Sequence, residues 1–185
     1  MKFPNKKFFE TFHPDTELKL ILSGQDYFNT LESLIDESRE VIHLQTYIFS
    51  DDETGRQVVG ALKKAALRGV KIFVVADTYG SFGLSVSFAE ELKKNGIEFR
   101  FFTPFLSSKG FHFGRRLHHK ILAVDGKKAL VGGINIADRY LGSEKELPWF
   151  DFAVLVEGEL SGDITYICES IWRKRFIRHH DIKNL

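Results

Sequence analysis

VIHLQTYIFSDDETGRQVVGALKKAALRGVKIFVVAD, residues 41–77, carries a strand, a helix and a second strand in one run. Val41–Phe49 is rich in β-branched and aromatic residues, the composition of a pleated, buried strand. Asp51 to Gly55 reads as a loop and the start of a helix. Val58, Val59, Leu62, Ala65 and Ala66 recur at helical spacing, and Gly69 stops that face. Val70–Asp77 is nearly continuous in apolar residues, as expected of a strand covered on both sides.

The same alternation extends in both directions. Upstream, Leu18–Leu22 reads as a strand broken by Ser23 and Gly24, and Phe28, Leu31, Leu34 and Ile35 mark a helix. Downstream, Thr78–Gly83 is a loop, Ser85–Asn95 a helix closed by Gly96, and Ile97–Phe102 a strand. The second half changes rhythm. Leu117–Val124 and Lys128–Val131 flank Asp125, Gly126 and Lys127, a hairpin signal. A short helix is expected around Ile136–Tyr140, a strand over Asp151–Val156 and a closing helix over Leu160–Phe176. This pattern predicts one α/β domain with a partly parallel sheet over residues 18–178, between a lead-in arm (1–17) and a polar tail (179–185). No linker or internal repeat divides it.

A chain of 185 residues with 43% hydrophobic content is long enough to bury a substantial core. Its net charge of +1 gives nucleic acid no global attraction. Locally, Lys109 to Lys120 holds Lys109, Arg115, Arg116, Lys120, His112, His118 and His119 with no acid, a patch suited to an anionic substrate. The lone cysteine, Cys168, excludes an intramolecular disulfide and sits in an apolar helical pattern, as a buried thiol would. The N-terminus lacks a secretory apolar core. No apolar stretch approaches the roughly 20 residues of a membrane span, so a soluble or peripheral protein is expected.

Within RLHHKILAVDGKKALVGGINIADRY, six residues spell H-x-K-x4-D-x6-G-G-x-N: His118, Lys120, Asp125, Gly132, Gly133 and Asn135. At background frequencies this arises at roughly one position in a hundred million. Residues two apart on a strand share a face, so His118 and Lys120 point together. Leu122 and Val124 carry that face into the core, which leaves the polar pair at an opening. Imidazole attacks phosphorus near neutral pH because its unperturbed pKa is about 6.5. Lys120 offers a charge and Asn135 an amide donor to the non-bridging oxygens. Gly132 and Gly133 are expected to let the backbone approach a bound anion, and Asn135 to stand where a helix N-terminus meets it. Asp125 lies at the turn. A metal fits less well: neither His-x-x-x-His nor a paired Cys/His set occurs, and Lys120 would repel a cation.

The motif resembles that of the phospholipase D superfamily, H-x-K-x4-D followed by G-[GS]-x-N. The flanks LQTYIFSDDETGRQVVGALKKAALRGVKIFVVADTYGS, RRLHHKILAVDG, VGGINIADRY and FDFAVLVEG are similar to the N-terminal half of bacterial cardiolipin synthases, over roughly residues 18 to 176. The resemblance implies an α/β/α sandwich with a mixed central sheet and no cofactor. It implies that His118 is the nucleophile forming a phosphohistidine, or the acid that protonates the leaving alcohol. Lys120 and Asn135 would bind phosphoryl oxygens, Asp125 would support the site, and Asp151 would orient the histidine of an opposing half. The reaction implied is metal-free phosphatidyl transfer from a phosphatidylglycerol-like lipid, at the cytoplasmic face of a bacterial inner membrane.

Such synthases carry two copies of the motif, and this chain has one. The chain therefore reads as half a site, completed by a downstream repeat or by a second copy of itself. A homodimeric phosphodiesterase or nuclease acting on nucleic acid is the rival, although a nucleic-acid groove would add basic residues along several elements. Two segments suit a headgroup interface, Phe99–Leu106 with Phe111–Phe113, and the N-terminal Phe3, Phe8, Phe9 and Phe12 among Lys2, Lys6 and Lys7.

Overall fold

The computed structural model describes residues 13–102, 106–107, 110–111 and 116–173. In chain order these form β1 (Thr16–Leu22), α1 (Gln25–Glu37), β2 (Val41–Thr46), α2 (Glu53–Leu67), β3 (Lys71–Asp77), α3 (Val86–Lys94), β4 (Ile97–Phe102), the small pair β5 (Leu106–Ser107) and β6 (Gly110–Phe111), β7 (Ile121–Val124), β8 (Lys128–Gly132), α4 (Asp138–Leu141), β9 (Phe152–Gly158) and α5 (Glu159–Arg173). The lead-in up to residue 12, the end of the closing helix beyond Arg173, the polar tail and most of the basic run before Arg116 lie outside the described residues.

Seven strands form one mixed sheet in the order β1-β9-β8-β7-β2-β3-β4. β2, β3 and β4 are parallel, as the strand–helix–strand run predicts, and the remaining neighbours are antiparallel. Helices cover the first face with narrow apolar stripes, α3 through Phe88 and Leu92. α1 buries Tyr27, Phe28, Leu31, Leu34 and Ile35, and α2 buries Val58, Val59, Leu62 and Ala65. Each large side chain fully buried there contributes roughly 1.5–3 kcal/mol. Asp52 caps α2 by accepting from Gly55 N at 2.9 Å. Gly69, with a φ of 88°, turns the chain into β3.

The second face is covered differently. Among the described residues, α5 packs on Ala123, Ala129 and Val156 through Cys168, with Ile121, Val131, Val154, Leu160 and Ile164 around them. Burial pushes the Cys168 thiol up to about 12, so it is an inert core residue. One helix does not span seven strands. At the β1–β9 edge Leu18, Leu20, Leu22 and Phe152 stay 65%, 63%, 47% and 53% exposed, with Leu20 opposite Val154 and Leu22 opposite Phe152.

Two strands are shorter than expected, and both shortenings shape the site. β2 ends at Thr46 rather than Phe49, because the next backbone groups leave the sheet. Ile48 N donates to Asn135 Oδ1 and Phe49 N to Ser81 Oγ. β7 begins at Ile121 rather than Leu117, because Leu117 N donates to Asp77 Oδ2 at 2.7 Å.

Candidate active site

His118 and Lys120 come together as the spacing requires. Lys120 Nζ lies 3.1 Å from Nδ1 and 3.2 Å from Nε2 of His118, and 3.2 Å from the His118 carbonyl. His118 is exposed at the opening, whereas Lys120 is only 6% exposed. Burial lowers the Lys120 pKa and the nearby Asp151 carboxylate raises it, with burial prevailing.

His119 turns to the other face of the sheet. Its Nδ1 is 3.0 Å from Gln45 Oε1, and Gln45 Nε2 donates to the Cys168 carbonyl on α5 at 3.0 Å. The amide oxygen only accepts, so His119 carries its proton on Nδ1. Burial, then the charges of Lys120 and His118, lower its pKa. Within the described part, the basic run thus divides: His118 faces the opening while His119 is tied into the sheet.

Asp125 does not join the pair. It stands at the opposite end of β7, about 17 Å along the strand from Lys120 at the usual rise. With a φ of 53°, followed by Gly126 at 67°, it forms the hairpin turn. Its carboxylate accepts from Arg39 N, Glu40 N and Val41 N at 2.8–2.9 Å. Burial raises its pKa, but these three donors and the Lys127 charge outweigh that and hold the carboxyl below its ordinary value. A depressed carboxyl stabilises the fold above its unfolded pKa of about 3.9 and loses that contribution as pH falls through its lower folded value. Asp125→Asn keeps the turn geometry and removes the charge. It is expected to cost about 1–3 kcal/mol near neutral pH. Thermal unfolding of both proteins from pH 7 to pH 2 should show the gap closing below about pH 4; a constant gap would rule out the ionised latch.

The glycines and Asn135 are tied into the fold by their own contacts. Gly132 N donates to Lys120 O and Gly133 N to Phe152 O, both at 3.1 Å, so neither N–H is free for an anion. A Cβ on Gly132 would lie 2.4 Å from Phe152 O, and one on Gly133 would lie 2.2 Å from Asp151 Oδ1. The pair makes room for β9 and for the Asp151 carboxylate. Asn135 is buried, accepts from Ile48 N at 2.9 Å and donates to Tyr140 Oη at 2.8 Å. It is not a helix cap, since α4 is capped at Ala137 and Asp138 N donates to Asp52 Oδ2. The bond to Tyr140 Oη uses one of the two Asn135 amide hydrogens.

Asp151 precedes β9, where it was expected. Its backbone pairs with Ser23 in both directions, and its Oδ1 accepts from Phe152 N at 2.8 Å. Sequence reasoning passed over Asp77, whose carboxylate accepts from Tyr79 N, Gly80 N and Leu117 N. An aspartate ending an apolar strand was its only signal. Among the described residues, no group of three or more His, Cys, Asp or Glu side chains is placed to hold a metal ion. No helix among them is long and apolar enough to cross a membrane.

Residues 31–172 match the family described as cardiolipin synthase, phospholipase D-like domain. The chain belongs to this family. It is 34% identical over 172 residues to cardiolipin synthase B of Escherichia coli K12, covering 89% of this chain and 42% of that protein. It thus spans less than half the length of that relative. Its fold matches NucT from Helicobacter pylori with a TM-score of 0.66 at 19% identity, covering 84% of this chain and 96% of the other. Nuc, a phospholipase D family member from Salmonella typhimurium, matches with a TM-score of 0.63 at 20% identity, over 85% and 95%. For this cardiolipin synthase-family chain, the fold expected from the motif and flanks, a phospholipase D-like domain with a mixed sheet, is the one observed.

Proposed function

We propose that this chain supplies one half of a phosphatidyl-transfer site. The observation that carries the reading is the contact of Lys120 Nζ with both ring nitrogens of an exposed His118, set in flanks that match a cardiolipin synthase. A phosphodiester anion is a stronger partner for the ammonium than neutral imidazole. Lys120 turns to the non-bridging oxygens, joined by the remaining Asn135 amide hydrogen, and a His118 nitrogen faces phosphorus. That nitrogen attacks phosphorus and the bond to the headgroup oxygen breaks. The histidine of a second half gives its proton to the leaving oxygen. The same histidine, now neutral, takes the proton of an acceptor alcohol. The alcohol oxygen attacks phosphorus, the phosphorus–nitrogen bond breaks and His118 is restored. Water as acceptor gives phosphatidic acid instead. The substrate class is an anionic, phosphatidylglycerol-like lipid, met at the cytoplasmic face of a bacterial inner membrane.

The half-covered sheet supports the pairing. Leu18, Leu20, Leu22 and Phe152 form a contiguous exposed apolar strip beside Asp151, the residue assigned to the opposing histidine. A second half seated there, from a downstream repeat or a second copy, would bury the strip and bring its histidine to Asp151. The rival reading, a homodimeric phosphodiesterase acting on nucleic acid, draws on the match to NucT and Nuc over nearly their whole length.

Phosphatidylglycerol vesicles and single-stranded DNA, offered in parallel to wild type and to Leu20→Lys/Phe152→Lys, test the reading. We expect lipid turnover by an assembled wild type. We expect a monomeric mass by light scattering and lost turnover in the double variant, with an unchanged circular dichroism spectrum because neither side chain belongs to the core of one copy. DNA cleavage without lipid turnover would replace the proposal with its rival. Full turnover by a strict monomer would end the half-site idea.

A further inference from the structure

We infer that Tyr47 is a positioning residue that holds the His118 imidazole when Lys120 leaves it for the substrate. The inference rests on His118 and Lys120 being the reacting pair and not on the identity of the phosphodiester. The Tyr47 ring lies 5.0 Å from the His118 ring, centroid to centroid, with the planes at 43°. Lys120 Nζ sits over the same ring, 5.5 Å from its centroid. The three groups form one cluster, in which an electron-rich face backs an ammonium and an imidazole.

Tyr47 reaches that position because β2 stops at Thr46. Regular alternation would turn residue 47 to the α5 face of the sheet, together with His43 and Gln45. The bend at Tyr47 brings its ring to the opening instead. The bend is held from several sides. Tyr47 O accepts from Ser81 Oγ at 3.1 Å, and Ile48 N donates to Asn135 Oδ1 at 2.9 Å. Gly80 packs so closely that a Cβ there would lie 2.2 Å from Tyr47 O. The ring is therefore a fixed wall on a braced backbone.

Lys120 is the partner that the proposed reaction draws toward the substrate. Its ammonium lies 3.1 and 3.2 Å from the two imidazole nitrogens. Once it turns to a phosphate, the imidazole loses that neighbour at the moment its direction of attack matters. Tyr47 stays, and its ring restricts the tilt of the imidazole. The same face favours the cationic imidazole that exists while phosphorus is bound. The hydroxyl plays no part in this role, and the ring does.

Tyr47→Phe, which keeps the ring, and Tyr47→Leu and Tyr47→Met, which replace it with an aliphatic chain, test it, in the full chain in its native assembly. The substrate is bis-(para-nitrophenyl) phosphate, a simple diester that is neither lipid nor nucleic acid. Phe should retain kcat. Leu and Met should lose about tenfold to a hundredfold in kcat with KM nearly unchanged, the signature of a misdirected group rather than weaker binding. The His118 ring proton resonances, assigned by their loss in His118→Gln, should shift in Leu and Met and stay in place in Phe. Wild-type kcat in both Leu and Met would overturn the inference, as would unmoved His118 resonances in both. A loss in Phe equal to that in Leu would overturn it too, because the hydroxyl would then be the acting group. Where lipid turnover fails and diester hydrolysis or the resonances respond as described, the substrate assignment falls and the role of Tyr47 stands.

Discussion

His118→Ala is expected to lower phosphodiester turnover by about four orders of magnitude or more, with little change in stability. The expectation follows from the position of the ring. His118 is exposed at the opening, so truncating it leaves no core cavity. Its ring nitrogens meet Lys120 Nζ, and Lys120 keeps its carbonyl contact and its place beside Asp151 in the variant. Charge recognition of the diester therefore survives while the attacking or protonating imidazole is gone. Loss of one member of a catalytic unit costs about as much as loss of the whole, which is why so large a factor is expected from a single surface side chain. Steady-state kinetics with phosphatidylglycerol vesicles, alongside thermal unfolding, checks both halves of the statement. In wild type a quenched reaction should contain an acid-labile phosphoryl adduct on the protein, and the variant should lack it. Turnover above about one hundredth of wild type in His118→Ala would remove His118 from the chemistry.

Much of the architecture was legible in the chain, and for identifiable reasons. The run from Val41 to Asp77 folds as a strand, a helix and a parallel strand because its apolar periods, caps and stops agree with one another. His118 and Lys120 could be paired because strand alternation fixes which side chains share a face. The features that escaped reading depend on contacts between distant segments. Tyr47 reaches the site only because Asn135 and Ser81 draw residues 48 and 49 out of β2. Leu117 is not in β7 because Asp77, forty positions earlier, takes its N–H. Asp125 is separated from the site by the length of its own strand, a distance the motif spacing conceals. Exposed leucines on β1 look like core in an alternating pattern, and among the described residues α5 packs on β7, β8 and β9 without reaching them.

Gly132→Ala should destabilise the fold by about 2 kcal/mol or more. That corresponds to a fall of roughly 4–8 °C in melting temperature for a chain of this length. The added Cβ would sit 2.4 Å from Phe152 O and 2.5 Å from Ala153 Cα. Both are backbone atoms of the neighbouring strand region, so no rotamer change relieves the clash and β8 must part from β9. Gly133→Ala behaves differently. Its Cβ would meet the Asp151 carboxylate at 2.2 and 2.4 Å, and that side chain can swing away. The expected result is a smaller loss of stability and a larger loss of turnover, because the displaced carboxylate is the group assigned to the opposing histidine and sets part of the field at Lys120. The contrast separates two explanations of the Gly-Gly pair. If the glycines cradle an anion through their backbone, both alanine variants raise KM for an anionic diester and leave the melting temperature alone. If they make room for β9 and Asp151, as the hydrogen bonds of Gly132 N to Lys120 O and Gly133 N to Phe152 O require, the first variant loses stability and the second loses kcat.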